Sequence, residues 1–128
     1  MDVRLDLVGI VTRDMRASLA FYRLLGLEVP ERAEDEPHAE VTTPGGLRVA
    51  WDTTEPIRQI YSDYTAPAGG HTTALAVLLP TPAAVDEKYA ELAALGHGRK
   101  EPWDAPWGQR YAVVANPDGN PVDLFAPV

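Results

Sequence analysis

The segment EPWDAPWGQRYAVVANPDGNPVDLFAP, residues 101–127, combines two tryptophans, an apolar strand pattern, a tight turn and one acid in its last strand, Asp123. A carboxylate on an otherwise apolar strand face needs a partner, because its burial alone is costly. That partner is a metal ion, a ligand amine, a proton, or the guanidinium group of Arg48 or Arg110. The segment therefore belongs either to a metal site or to the wall of a pocket for an aromatic ligand.

Aromatic side chains recur in positions that suit such a wall: Trp51, Tyr61, Tyr64, Trp103, Trp107 and Tyr111. A cavity lined in this way suits a flat, conjugated, partly polar molecule, since each aromatic pair contributes about 0.5–1.5 kcal/mol beyond area burial. Trp51 alternates with Ala50 and so faces either the pocket or a helix-side core. Tyr61 and Tyr64 either contact a ligand or hold their segment in place. His38 either hydrogen-bonds a ligand or is an ordinary surface residue.

The first half of the chain predicts one helix among extended segments. RLDLVGIVT, residues 4–12, alternates apolar side chains as a strand does. A helix follows, with an N-cap at Asp14 and Gly26 just past its end. Its apolar stripe has the i, i+4, i+7 spacing of Met15, Leu19 and Tyr22. Extended segments are then predicted near residues 27–31, 38–43 and 46–52, with PGG at 44–46 joining the last two as a hairpin.

The second half repeats this order. TTALAVLL, residues 72–79, predicts a strand, and Thr81 and Pro82 supply an N-cap and a first helical residue. The apolar stripe of this helix is formed by Val85, Tyr89 and Leu92, and each residue number exceeds that of its first-half counterpart by 70. Residues 82–84 are extra and are expected to enlarge the loop before the helix. Extended segments follow near residues 98–103, 109–115 and 121–126, the last two joined by the turn NPDGN.

These patterns predict an α+β fold of two tandem βαβββ units in a single domain, residues 1–128. The units are residues 1–52 and 71–128. The linker, residues 53–70, is rich in Pro, Gly and aromatic residues and is expected to be neither helical nor extended. The alternative is an unrelated α+β domain whose two helices match by chance.

The composition excludes several classes of function. The 128 residues carry 11 basic and 19 acidic side chains, a net charge of −8, and no cysteine. Nucleic acid is not predicted as a partner, because phosphate binding needs clustered basic residues. Disulfides, thiolate metal sites and cysteine nucleophiles are excluded. No run reaches the roughly 18 apolar residues of a membrane span, so we predict a cytoplasmic protein with no membrane partner.

Two βαβββ units, the second ending in DGN and a strand with an acid, resemble the vicinal oxygen chelate superfamily. This superfamily holds glyoxalases, extradiol dioxygenases and antibiotic-binding resistance proteins, and the resemblance covers nearly the whole chain. It implies a glyoxalase/bleomycin-resistance-like fold, in which each unit curls a mixed sheet around a concave pocket for a metal or a drug. The function then depends on which residues occupy the metal-ligand positions.

The resemblance implies four metal-ligand positions, usually His or Gln, Glu, His and Glu. The matching residues are Leu7, Ala50, Ala74 and Asp123. Trp51 or Asp52 takes the place of Ala50 if the hairpin register slips. His71 lies three residues before Ala74, which places it on the opposite face of a regular strand. At most two carboxylates and no imidazole remain, whereas such metal sites need three or four ligands. We therefore predict no metal and no cofactor, and a pocket floor of Thr72, Ala74, Ala76 and Leu78.

Five motifs in both halves resemble the mitomycin-binding antibiotic resistance proteins of actinomycetes: LRVAWDT, APAGGH, VDEKYAEL, PWDAPWGQRYAVV and NPDGNPVDLFAP. This resemblance implies stoichiometric sequestration by a homodimer, with strands or units shared between chains. It implies that Trp107 stacks on a planar drug and that Trp51, His38 and Asp123 line the site. A pocket lined by aromatic side chains would also suit quinoxaline-type and bleomycin-type drugs, and the negative net charge of the chain suits cationic bleomycin.

The predicted function is metal-independent binding and sequestration of a planar aromatic or quinone-type antibiotic, which confers drug resistance. No catalytic residue is predicted. The alternative is an enzyme of the same superfamily, either a metal-dependent glyoxalase- or dioxygenase-type lyase or a metal-free isomerase that uses Asp123. The predicted ligand-binding residues are His38, Trp51, Asp52, Tyr64, Trp103, Trp107, Tyr111 and Asp123.

Overall fold

The computed structural model describes residues 1–71 and 73–128. The chain divides into two compact units, Met1–Ala66 and Pro67–Val128, here called unit one and unit two. The boundary between them lies inside the predicted linker. That both units form a single domain remains a prediction. No helix within the described residues is long and apolar enough to cross a membrane.

Unit one contains a three-stranded mixed sheet. Its elements are β1 (Leu7–Val11), α1 (Met15–Leu25), a 3-10 helix (Glu31–Asp35), β2 (His38–Thr42), β3 (Arg48–Asp52) and α2 (Thr54–Ile60). The strand order is β1-β3-β2. The central strand, β3, runs parallel to β1 and antiparallel to β2.

The sequence signals for α1 are confirmed. The Asp14 carboxylate accepts a hydrogen bond of 3.0 Å from the Ala17 amide, one of the amides left free at a helix start. Gly26 ends the helix with a positive φ of 124°, which glycine adopts without steric cost. Leu19 and Tyr22 are buried, and the Tyr22 ring lies 5.2 Å from the Trp51 ring. This contact forms part of the core of unit one.

Unit two contains a four-stranded mixed sheet. Its elements are β4 (Leu75–Leu78), α3 (Pro82–Ala93), β5 (Gly98–Ala105), β6 (Gln109–Ala115) and β7 (Pro121–Pro127). The strand order is β4-β7-β6-β5, with β4 parallel to β7. Of the predicted pocket floor, Ala74 precedes β4, and Thr72 lies outside the described residues. The predicted α+β fold with two mixed sheets is confirmed, and the structure has three α-helices where two were predicted.

The start of α3 confirms one prediction and corrects another. The Thr81 hydroxyl accepts a hydrogen bond of 3.1 Å from the Ala84 amide, as an N-cap does. Residues 82–84 form the first turn of the helix and not a longer loop. A proline at the first helical position fits this geometry, because its missing N–H has no helical partner to lose. Val85 and Leu92 are fully buried, and Tyr89 is half-buried.

Residues 27–31 form no strand, contrary to the prediction. The Arg23 guanidinium donates to the Val29 carbonyl at 3.1 Å and to the Pro30 carbonyl at 2.5 Å. It also binds the Glu34 carboxylate. Two carbonyl groups that a strand would use for pairing are therefore bound by a side chain. Unit one consequently has one strand fewer than unit two.

The predicted linker contains a helix, α2, which is a second correction. Pro56 lies in its first turn, where the backbone amide has no helical partner to lose. Ile57, the next residue, is buried. The prolines of this segment suggested irregular structure, but the position of Pro56 is compatible with a helix.

The three strands of the unit-one sheet are arranged like β4, β7 and β6 of unit two. In each unit, a strand that runs parallel to the first strand follows a glycine with positive φ, Gly46 at 94° and Gly119 at 86°. Ala50 and Asp123 each stand four residues after that glycine. Ala50, and neither of the two residues after it, therefore holds in unit one the position that Asp123 holds in unit two.

We expect Gly98→Ala to destabilise unit two. A Cβ atom on Gly98 would lie 2.7 Å from the Tyr89 hydroxyl oxygen and 3.0 Å from the Ala93 Cβ, so the Tyr89 side chain must move and β5 or α3 must yield slightly at Ala93. The expected loss in the free energy of unfolding is about 1–3 kcal/mol, measured by urea denaturation. Gly45→Ala is the control, because its Cβ would meet no atom within 4 Å. Equal unfolding midpoints for the two variants would contradict this expectation.

Candidate functional site

The face of the unit-two sheet opposite α3 carries the predicted residues of that unit, and we call it the helix-free face. Successive strand side chains point to opposite faces. The buried set that packs toward α3 consists of Ala112, Val114, Val122 and Leu124. The residues between them point to the helix-free face. One row across all four strands is formed there by the cross-strand partners Trp103, Tyr111, Phe125 and Leu78.

The aromatic rings of this face contact one another. Trp103 meets Trp107 and Tyr111 edge to face, with ring centroids 5.7 Å apart in both pairs. Trp107 and Tyr111 are 5.5 Å apart, and Tyr111 stacks on Phe125 at 6.2 Å. The Lys100 ammonium lies 4.3 Å from the Trp103 ring centroid, within the range of a cation–π interaction. The four rings form a continuous aromatic surface.

Trp107 lies in the turn between β5 and β6, with 58% of its surface exposed. The Gly108 amide donates to the Ala105 carbonyl at 3.1 Å, and Gly108 has the positive φ of 89° that such a short hairpin loop requires. The Trp107 indole N–H donates to the Gln109 side-chain oxygen at 3.0 Å. The turn and this hydrogen bond fix the ring against Trp103 and leave its other side available to a ligand.

The partner of Asp123 is the Tyr111 hydroxyl, which donates to Oδ2 at 2.5 Å. Burial and then this hydrogen bond raise the pKa of Tyr111 to about 12. The phenol therefore keeps its proton at neutral pH and acts as a donor. Neither guanidinium considered from the sequence binds Asp123, since Arg110 binds two other carboxylates of unit two and Arg48 binds two of unit one.

The predicted residues of unit one form an ionic network. His38 and Asp52 are cross-strand partners, and His38 Nδ1 lies 2.6 Å from Asp52 Oδ1. His38 Nε2 lies 3.1 Å from Glu40 Oε2. Arg48 continues the network, at 2.9 Å to Glu40 and 2.7 Å to Asp6. Each charged group therefore has a partner of opposite charge.

The two carboxylates beside His38 favour its charged form. The hydrogen bond to Asp52 is the largest cause that raises the pKa of His38 above the usual 6.5, and Glu40 adds to it. An imidazolium donates from both ring nitrogens and has no lone pair for a metal ion or a substrate proton. In this arrangement His38 orients the two carboxylates and is not a free ligand-binding group.

The structure thus brings the predicted ligand residues together in two sets. Trp103, Trp107, Tyr111 and Asp123 meet on the helix-free face of unit two. His38 and Asp52 belong to the network of unit one.

Trp51 and Tyr64 belong to neither set. Trp51 is 0% exposed and packs on Tyr22, so the helix-side position is the correct one of its two predicted positions and its assignment as a ligand residue is corrected. The period of two explains this, because Ala50 and Asp52 face the other way. Tyr64 is half-buried after α2. Its backbone amide donates to the Tyr61 carbonyl at 3.0 Å.

Sequence reasoning missed several residues that complete the two sets. Phe125 and Glu40 stand two residues from Asp123 and His38, so the strand period was a signal for both. Gln109 was not predicted, because its bond to Trp107 depends on the hairpin turn. Lys100 could not be assigned to a face, since register shifts interrupt β5 between Gly98 and Trp103.

The four metal-ligand positions of the resemblance do not fit a metal ion. Leu7, Ala50 and Ala74 carry hydrocarbon side chains, and only Asp123 offers oxygen. Divalent ions in such sites need three or four nitrogen or oxygen ligands. In the part of the chain that the structure describes, no group of three or more His, Asp or Glu side chains could hold a metal ion.

A family model, the Glyoxalase/Bleomycin resistance protein/Dioxygenase superfamily, matches residues 4–124. The chain belongs to this superfamily. The match includes every predicted ligand residue, and it agrees with the resemblance found in the sequence. Membership in the superfamily decides the fold but not the ligand, because a fold hosts many functions. No curated protein matches the sequence significantly.

Solved structures of the superfamily have the same fold. An enzyme of this family from Burkholderia phytofirmans PsJN is 23% identical, with a TM-score of 0.84, over 98% of this chain and 100% of that one. A superfamily protein from Nocardioides is 28% identical, with a TM-score of 0.76, over 100% and 85%. A lactoylglutathione lyase from Agrobacterium tumefaciens is 20% identical, with a TM-score of 0.67, over 98% and 94%.

We expect the contribution of His38 to folding stability to fall as the pH rises. Because its folded pKa lies above 6.5, its ion pairs stabilise the fold fully below that pH and are lost as the pH passes the folded pKa. His38→Gln should therefore lose more unfolding free energy at about pH 6 than at about pH 9. Urea denaturation at both pH values measures this.

The control for this pH experiment is His71→Gln, since His71 is exposed. Its effect on stability should be small at both pH values. The same deficit for His38→Gln at the two pH values would show that the network does not depend on the charge of the imidazole.

Proposed function

We propose that the chain binds a flat aromatic or quinone-type antibiotic, such as mitomycin, on the helix-free face of unit two. Binding sequesters the drug without a metal ion and protects the cell from it. The observation that supports this most strongly is the indole of Trp107, which is 58% exposed and yet held in contact with Trp103 and Tyr111.

The energetics of this surface favour a flat guest. Stacking on Trp107 would remove apolar area from water on both partners, at about 25 cal/mol per Å². The contacts among the rings and the hydrogen bond to Gln109 already restrict the indole. Binding therefore costs less side-chain entropy than it would with a free tryptophan.

The titratable groups support binding over acid–base catalysis. A general base needs a free lone pair within reach of a substrate proton. The Tyr111 hydroxyl keeps its proton and donates a hydrogen bond to Asp123. Both ring nitrogens of His38 face carboxylates. Neither Tyr111 nor His38 is thus a free base. The second oxygen of Asp123 would have to act without an acid partner, because the Tyr111 proton is already engaged.

The proposal includes a cytoplasmic homodimer, with strands or units shared between two chains. Its support is the similarity of PWDAPWGQRYAVV and NPDGNPVDLFAP to the mitomycin-binding resistance proteins, since these two motifs supply the rings and the acid of the helix-free face. Light scattering should give twice the mass of one chain. The mass of one chain at micromolar concentration would remove the dimer from the proposal.

We expect Trp107→Ala to weaken binding of mitomycin C by about 1–3 kcal/mol, because the stacking surface is lost while the buried core remains. Isothermal titration calorimetry measures the affinity. Leu95→Ala is the matched control, since Leu95 is similarly exposed, at 63%, but follows α3 and lies off the helix-free face. This control should bind like the wild type.

Two results would contradict the proposed function. The first is an unchanged affinity in Trp107→Ala, which would place the drug elsewhere or show that the binding is nonspecific. The second is a stoichiometric divalent metal in the purified protein whose removal abolishes binding, because the proposed contacts are aromatic rings and a carboxylate.

A further inference from the structure

We propose that the Tyr111–Asp123 pair selects ligands with an N–H donor at the ring edge over ligands of the same shape without one. This inference rests on the proposed function, because it concerns the ligand of the same face. It adds the chemical class of that ligand: an amino-substituted planar ring system.

The first support is the hydrogen-bonding state of Asp123. Its Oδ2 atom accepts the Tyr111 hydroxyl at 2.5 Å. Its cross-strand partners on the two neighbouring strands are Ala76 and Val113, which have no side-chain donor. Within the described residues, no ion pair engages the Asp123 carboxylate. The Oδ1 atom is therefore an acceptor whose donor must come from the ligand or from water.

The second support is that the donors of Tyr111 and Trp107 are already used. The Tyr111 hydroxyl has one proton, and Asp123 accepts it. The Trp107 indole N–H donates to Gln109 at 3.0 Å. Apart from the Lys100 ammonium, the face thus presents there the second carboxylate oxygen of Asp123, so a carbonyl or carboxylate placed beside it would meet oxygen and an N–H would gain a hydrogen bond.

The third support is the placement of the carboxylate beside the rings. Asp123 precedes Phe125 by two residues on β7, so both side chains point to the same face. Phe125 stacks on Tyr111 at 6.2 Å, and Tyr111 contacts Trp107. A planar molecule on these rings would bring an edge substituent toward Asp123. Tyr111 acts here as a positioning residue, because its hydroxyl fixes the orientation of the carboxylate.

The test uses two probes of nearly the same shape, 2-amino-1,4-naphthoquinone and 2-methyl-1,4-naphthoquinone. Both are neutral, so the net charge of −8 does not favour either, and the chain has no cysteine to form a quinone adduct. We expect the wild-type protein to bind the amino compound about tenfold more tightly, as one additional hydrogen bond to a carboxylate oxygen allows. Calorimetry with the full chain gives both dissociation constants.

Two variants assign this preference to the pair. Asp123→Ala should bring the ratio of the two dissociation constants close to one while the affinity for the methyl compound stays within about twofold. Alanine occupies the equivalent position of unit one, at Ala50, so the strand accommodates it. Tyr111→Phe keeps the ring and should give an intermediate ratio. Tyr89→Phe removes a hydroxyl on α3 and should leave the ratio unchanged.

The outcomes separate this inference from the proposed function. Equal binding of both probes to the wild type, with weaker binding in Trp107→Ala, would contradict the inferred preference for N–H donors. It would leave the proposed function standing. A preference that survives Asp123→Ala overturns the assignment to this pair. Failure of both probes to bind overturns the proposed function and this inference with it.

Discussion

The two-residue period of β6 and β7 is the constraint on which the rest of unit two depends. Ala112, Val114, Val122 and Leu124 are at most 1% exposed and face α3, whose Val85 and Leu92 are fully buried. A register slip of one residue would exchange this set for the residues between them. Tyr111 and Asp123 would then enter the core. Packing against α3 therefore fixes which side chains form the helix-free face, although none of the packing residues belongs to that face.

The two units have a similar strand arrangement but carry different side chains on the face that holds Ala50 in unit one and Asp123 in unit two. In unit one, the face of β2 and β3 that holds Ala50 carries the ionic network around His38 and Arg48. Exposed ion pairs contribute little to stability, so this network orients side chains more than it stabilises the unit. In unit two, the corresponding face carries stacked rings and Asp123. The two units thus share the core pattern and differ in the side chains on the other face of each sheet.

Local signals predicted those parts of the fold that local interactions determine. The caps at Asp14 and Thr81 and the end at Gly26 each depend on atoms within a few residues, and all three are confirmed. The strand predicted at residues 27–31 failed because Arg23 binds carbonyl groups six and seven residues away. The spacing of apolar residues gives no information about a hydrogen bond from a side chain to a distant carbonyl group.

The sequence allowed us to predict which residues belong to the candidate site but not which of them contact one another. Trp103, Trp107 and Tyr111 were identifiable because three large aromatic residues follow one another within a short segment. Their hydrogen-bonding and ring partners depend on register, which the turn at Gly108 and the shifts in β5 determine. The contact between Tyr111 and Asp123 is diagonal across two strands, and a pattern along one strand does not reveal it.

The Tyr111 hydroxyl explains how this member of the superfamily keeps an acid at a position associated with metals. A carboxylate on an apolar face needs a cation or a donor. A phenol beside Asp123 supplies one hydrogen bond at 2.5 Å and no positive charge. The second oxygen of the carboxylate is therefore left available to a ligand or to water. A metal ion at the same place would attract the oxygen atoms of a substrate. In the proposed function, the Tyr111–Asp123 pair would instead attract N–H groups, and the aromatic rings beside it would favour a flat molecule that carries them.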